Sequence, residues 1–236
     1  MKNFSVKKLI PHLSIDCVVF GYKDKELSVL ISKFKFGKNL WGLPGGYILK
    51  TESTDKAALR TDLDNIYLEQ FRVFGEENRI IGSEHKEMIK SELRKFDRQL
   101  FDAEATKWIT GRFVSIGYFA LVDQNKVSPK PGMLEERLEW RSIKSIPQMT
   151  HDHNEIVRFA LEALRQNLDR KLIGFNLLPE SFTMKEVQEL YEAVYDRPFA
   201  RNNFQKKILD LNVLERLEKK YTGAANKAPY LYQFKK

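Results

Sequence analysis

Apolar residues fall along this chain in two rhythms, one fitting strands and the other helices. The runs Leu13–Phe20, Leu27–Phe34 and Phe113–Val122 are short and nearly continuous, which predicts strands buried in a sheet. Arg72–Gly75 is expected to close a further strand. A last strand is expected near Leu138–Arg141, after a turn through Val127–Met133 that carries Pro129, Pro131 and Gly132. Between Ser83 and Trp108 the rhythm changes: Ile89, Leu93, Phe96 and Leu100 recur at i, i+4, i+7 and i+11. That spacing predicts one long amphipathic helix with Ser83 as a candidate N-cap. Ile156, Phe159, Ala160, Ala163 and Leu164 predict another helix, for which Asp152 is placed to act as the cap.

The C-terminal quarter has a different outline. Ser181 or Thr183 can cap a helix from Met184 to Tyr195, whose apolar face is Val187, Leu190, Tyr191 and Val194. A turn at Asp196-Arg197-Pro198 leads to a second helix, Arg201 to Leu211, expected to bury Phe204, Ile208 and Leu211. Asn202, Asn203, Gln205 and Lys206 are then left outward, with Lys207 at the border. Leu214–Tyr221 and Tyr230–Phe234 read as a hairpin. Helix, turn, helix and hairpin is the outline of a winged helix-turn-helix. The change in pattern at Asn167–Phe175 divides the chain into a domain over 1–170, with a helical insertion near 79–109, and a second domain over 171–236. The fold class is α/β.

Composition narrows the classes. With 236 residues, 42% of them hydrophobic and 12% aromatic, disorder is excluded and one or two cores are affordable in size. No apolar run approaches the roughly 18 residues of a membrane span, and MKNFSVKKLIPHLSID has no secretory pattern. The single Cys17 lies in a strand-like run and reads as a core thiol, so a cytoplasmic location is expected. The formal net charge is +8, and from Arg197 to Lys236 ten bases face three acids. A polyanionic partner at the C-terminal domain follows.

The stretch from Trp41 to Leu68, WGLPGGYILKTESTDKAALRTDLDNIYL, resembles a Nudix box, in which a loop-helix-loop holds divalent cations on a diphosphate. Gly46, Glu52, Arg60 and Leu68 fall on its frame. That chemistry needs glutamates at i, i+3 and i+4 of one helix face, pointing several oxygens at one hard cation. Here those positions read Thr61, Asp64 and Asn65. Shifting the register by one residue gives Asp62, Asn65 and Ile66, so either register leaves one carboxylate of three. His151, Asp152 and His153 invite a metal reading too, but no further His or Cys lies nearby to complete a ligand set, and the cap is the better account. No metal site, no cofactor and no catalytic residue is expected.

Further stretches complete the resemblance: LSIDCVVFGY at 13–22, LWGLPGGYI at 40–48, GRFVSIGYFALV at 111–122, HDHNEIVRFALEAL at 151–164 and GFNLLPESFTMKEVQELYEAVYDRPFARNNFQKKIL at 174–209. They are similar to the NrtR-type regulators. The resemblance implies a Nudix α/β/α sandwich followed by a winged helix, working as a homodimeric DNA-binding repressor or activator whose Nudix-like domain senses a metabolite such as ADP-ribose. A branch of the family is associated with sugar utilisation. By that correspondence Arg201, Asn202, Asn203, Gln205, Lys206 and Lys207 would meet double-stranded operator DNA, and Lys219, Lys220 and Lys227 would meet its phosphates. Lys33, Trp41, Glu52 and Arg112 are the candidates for the effector pocket.

The expected effector is a sugar or sugar nucleotide, because Thr61 and Asn65 offer a hydroxyl and an amide where charge has been lost. The insertion is either a lid on the sheet or part of a ligand pocket or dimer surface. The rival class is a Nudix hydrolase acting on nucleoside diphosphate derivatives such as ADP-ribose, with an appended nucleic-acid-binding domain.

Overall fold

The computed structural model describes residues 5–59, 66–79, 83–125, 127–168, 170–171, 173–220 and 228–235. The strand rhythm is realised as β1 (Leu9–Lys23) and β2 (Glu26–Phe34), joined by a two-residue turn whose Asp24 and Lys25 both have positive φ. That conformation matches the right-handed twist of the flanking strands. On its other edge β1 runs parallel to β6 (Val114–Asp123), which is antiparallel to β5 (Tyr67–Phe74), while β2 carries β7 (Glu135–Ser142).

Between β1 and β2 the sheet opens into a wedge. The short strand β3 (Trp41–Gly42) pairs with the end of β2, and β4 (Gly45–Leu49) pairs with the start of β1. Only glycine fits at Gly45, since a Cβ there would lie 2.2 Å from the Ile15 carbonyl oxygen. Among the described residues this makes one seven-stranded mixed sheet.

Alternation along β1 divides the core. Ile15, Cys17 and Val19 face Ile48, Tyr118 and α1 (Thr54–Leu59) through Ala57 and Ala58. Val18 and Phe20 face the other way, with Val29, Ile31 and Phe119, onto α4 (His153–Leu168). The Tyr118 hydroxyl donates to Asp55 Oδ1 at 2.6 Å, which pins the start of α1 to the sheet.

The insertion departs from expectation. It forms two helices, α2 (Ser83–Phe96) and α3 (Ala103–Ile109), where one was predicted. Aspartates break it. The Asp97 carboxylate accepts the Gln99 and Leu100 backbone N–H groups at 3.0 and 2.9 Å, and Asp102 caps α3 by accepting from Ala105 at 2.8 Å. Phe101 is fully buried with Ile89 and Leu93, while Leu100 is only half-buried and Phe96 is exposed. Ser83 is the first helical residue, and its side chain lies outside the described residues.

Beyond α4, a 3-10 turn at Ile173–Leu177 leads to β8 (Phe182–Thr183), α5 (Met184–Tyr195), α6 (Arg201–Asp210), β9 (Leu214–Lys219) and β10 (Tyr230–Phe234). The three strands form a small sheet in the order β8-β10-β9. Thr183 is the cap of α5, in a reciprocal capping box with Glu186. Leu211 is exposed, contrary to expectation, because α6 ends at Asp210 and the chain turns through a left-handed Asn212.

The apolar face of α5 does not close on the small sheet alone. Val187, Leu190, Tyr191 and Val194 belong to one cluster with Leu164 and Leu168 of α4 and with Val18, Phe20 and Val29 of the large sheet. Leu190→Ala, at a fully buried position, is therefore expected to cost about 2–5 kcal/mol and to lower one unfolding transition for the whole chain. Calorimetry checks this; two separate transitions, with only the second displaced, would contradict it.

Candidate functional site

Box region. The box loop is ordered by Glu52, whose Oε1 accepts the Leu49 N–H at 2.7 Å. Residues 60–65, which include Arg60, Thr61, Asp62, Asp64 and Asn65, lie outside the described residues. Lys33 and Trp41 stand side by side as paired positions of β2 and β3. Lys33 Nζ lies 3.2 Å from Glu136 Oε2, and the guanidinium groups of Arg137 and Arg141 lie 5.5 and 5.6 Å from the Trp41 ring centre. Arg112 donates to the Gly75 carbonyl at 2.8 Å. Each of the four candidates thus makes a contact within the domain, and Lys33 and Trp41 are paired with each other.

Helix α3 supplies something the strand pattern did not predict. Trp108 packs edge-on against Tyr47 of β4 and Phe113, at centroid separations of 4.8 and 4.9 Å, and His12 completes the group. Burial pushes the Tyr47 phenol well above its usual range, with Asp16 adding to the effect. The space beside Gly46, next to Tyr47, is open.

Buried ion network. On the α4 side of the sheet lies a group of charges that the apolar periodicity concealed. Asp16, inside the apolar run of β1, accepts from Ser115 Oγ at 2.6 Å and from Arg79 Nη2 at 3.0 Å. Arg79 also grips Asp152 through two bonds, Nε to Oδ2 at 2.6 Å and Nη2 to Oδ1 at 2.9 Å. Both oxygens of Asp152 are thereby engaged by Arg79, rather than by the first-turn N–H groups of α4 that a helix cap would meet.

His153 Nδ1 accepts the Leu43 N–H at 2.9 Å, which leaves the ring proton on Nε2, facing Asp16 Oδ1 at 3.4 Å. Burial works against the Asp16 charge, yet His153, Arg79 and the Ser115 hydroxyl hold its carboxyl below the usual range. His151 is exposed as a residue, yet desolvation of its ring against the neighbouring side chains, and then His153, push it down to about 4.

Basic face. The second candidate site is the outer face of α6. Arg201, Asn202, Asn203, Lys206 and Lys207 are exposed, Gln205 is half-buried, and Phe204 and Ile208 anchor the helix from beneath. The turn before it is held from α5: Gln188 Nε2 donates to the Phe199 carbonyl at 3.0 Å, and Glu192 Oε1 accepts the Phe199 N–H at 2.9 Å. In the hairpin, Lys220 Nζ lies 3.0 Å from Glu186 Oε1 of the capping box, and Lys219 Nζ lies 5.5 Å from the Tyr230 ring centre. Arg216, not singled out by the sequence, sits over the same ring at 4.5 Å. Lys227 lies outside the described residues.

A mixed sheet with a basic helix-turn-helix and hairpin packed on its face defines a two-part α/β architecture that ends in a winged helix. Comparison with known proteins shows what each part of the chain is similar to. Residues 174–234 match the NrtR DNA-binding winged helix domain. The whole fold is similar to the crystal structure of Shewanella oneidensis NrtR, with 26% identity, 95% of this chain and 94% of that one covered, and a TM-score of 0.67. The same protein solved with a 27mer DNA gives 24% identity, coverage of 94% and 93%, and a TM-score of 0.66. A curated relative, the ADPR responsive transcriptional repressor NtrR of Acinetobacter baylyi, is 22% identical over 95% of this chain and 82% of its own length. Residues 174–234 thus form an NrtR-type winged helix domain, and the chain as a whole is similar to NrtR in sequence and fold.

The network has a pH signature. A histidine held below its unfolded value favours the folded state only while neutral, so its stabilisation is lost as pH falls from about 6.5 toward 4. The lowered carboxyl of Asp16 loses its contribution in the same direction, at still lower pH. His151 is exposed, so solvent screens this effect and only a small fall in Tm between pH 6.5 and 4 is expected from it. His151→Asn, which tolerates the left-handed φ of 52° at this position, should flatten that part of the profile. An unchanged profile in this variant would assign the acid sensitivity elsewhere.

Proposed function

We propose that this protein is a sequence-specific transcriptional repressor, acting in the cytoplasm as a homodimer, whose DNA affinity is set by a sugar nucleotide of the ADP-ribose type bound in the Nudix-like domain. The observation that carries this is the exposed Asn, Gln, Lys and Arg face of α6 within an NrtR winged helix. Asn and Gln side chains match the adenine edge in the major groove, and Arg and Lys match guanine or phosphate. The functional boundary is placed at 170/171, with Lys33, Trp41, Glu52 and Arg112 around the effector. Of the two effector classes the residues suggest, the sugar nucleotide gains support from the ADPR-responsive relative.

The domain binds its ligand without hydrolysing it. Thr61, Asp64 and Asn65 leave one carboxylate where a metal-dependent diphosphate hydrolase needs a cluster. Incubation with ADP-ribose and Mg²⁺ or Mn²⁺ should give no turnover, whereas turnover on the order of 1 s⁻¹ or faster would revive the hydrolase reading.

On DNA, Asn203→Ala should cost about 1–3 kcal/mol and relax the base preference at one operator position. Lys219→Ala should weaken all sequences alike and reduce the salt dependence of log K by about one phosphate contact. Anisotropy titrations against operator and scrambled duplexes at several salt concentrations separate the two. If both variants bind as the parent does, α6 and the hairpin are not the contact surface. Sedimentation should show a dimer, because one short module needs a symmetric partner to read an inverted repeat.

A further inference from the structure

Arg79 sits where three otherwise separate parts of the molecule meet. It ends the 3-10 turn Glu77–Arg79 that follows β5 and leads, through residues 80–82, into the inserted helix α2. Its guanidinium is almost wholly buried and reaches Asp152 just before α4, Asp16 in β1 and, through Nη1 at 3.3 Å, the Phe74 carbonyl. Asp16 faces His153, which accepts the N–H of Leu43 in the loop between β3 and β4. The Trp41 carbonyl accepts the Thr150 N–H at 2.8 Å. The strand and loop that open the box region, the root of the insertion and the first turn of α4 therefore share one set of buried charges.

The other end of α4 grips the winged helix. Arg165 Nε donates to the Val194 carbonyl at 2.8 Å, and the Tyr195 hydroxyl returns a bond to the Arg165 carbonyl at 2.9 Å. Leu164 and Leu168 pack in the same cluster as Leu190. A closely packed helix cannot bend by a fraction to absorb a shift at one end, so it transmits that shift as a movement of the whole. Breaking a buried pair leaves an uncompensated charge, which makes the engaged and disengaged arrangements of such a network discrete.

We propose that Arg79 is the positioning residue that couples the Nudix-like domain to the winged helix. It touches neither effector nor DNA, and through Asp152 it sets the placement of α4 and hence of α5 and α6. This rests on the effector-controlled repressor reading above.

The test uses the full chain, with ADP-ribose as probe and an operator duplex. In the parent protein ADP-ribose should weaken operator binding by roughly 5–150-fold, the usual range of allosteric coupling. In Arg79→Lys, which keeps the charge but loses the two-pronged grip on Asp152, and in Asp152→Asn, that factor should fall below about threefold. ADP-ribose affinity should stay within about twofold of the parent, a separation that general loss of structure would not produce. Full coupling in either folded variant overturns the role of Arg79 alone, while absence of coupling in the parent overturns the repressor reading and this proposal together. Hydrogen exchange on the parent needs no variant: ADP-ribose should alter protection in residues 153–157 and in 190–195, and a change confined to the Nudix-like domain also overturns the proposal.

Discussion

One continuous apolar core holds the two halves of this molecule in a fixed relation. Val18, Phe20 and Val29 on one sheet face, Leu164 and Leu168 of α4, and Val187 and Leu190 of α5 form a single buried cluster, so the winged helix rests partly on the large sheet and α4. A helix-turn-helix of this length buries little surface by itself. By completing its core on α4 and the sheet, it gains stability and surrenders freedom of orientation. The exposed ion pairs that span the same junction, Lys25 with Glu189 and Lys144 with Asp196, contribute little energy but favour one placement.

Within that frame, charge sets the register. An apolar interface between α4 and the sheet tolerates sliding, because hydrophobic contact has no direction. The Asp16, Arg79, Asp152 and His153 network does not, since each buried charge must meet its partner at hydrogen-bonding distance or bear the cost of desolvation. Core and network divide the work: the first supplies cohesion and the second fixes where α4 begins.

Much of the architecture was legible in the residue pattern. The strands over Leu13–Phe20, Leu27–Phe34 and Phe113–Val122, and the α5–α6–hairpin outline, follow directly from periodicity and turn chemistry, because burial on a sheet face or helix stripe imposes those periods. The break in the insertion was harder to see. An apolar spacing of i, i+4, i+7, i+11 is compatible with an unbroken helix, and the competing local bonds of Asp97 and Asp102 win only because Phe101 gains full burial. The network was missed for a related reason. Asp152 reads as a cap by position, and its partner Arg79 is 73 residues away. One signal was present: Asp16 interrupts an otherwise apolar buried strand, and a charge in that setting demands a partner. The basic face of α6 was readable because Phe204 and Ile208 fix which residues turn outward.

If the core and network bind the two halves into one thermodynamic unit, effector and operator must influence each other reciprocally. Isothermal titration of ADP-ribose into the free protein, and into protein saturated with operator duplex, measures this most directly. The account predicts weaker ADP-ribose binding in the presence of operator, by the same factor with which ADP-ribose weakens operator binding. Equal ADP-ribose affinity in the two titrations would mean that the halves are energetically independent, and would contradict it.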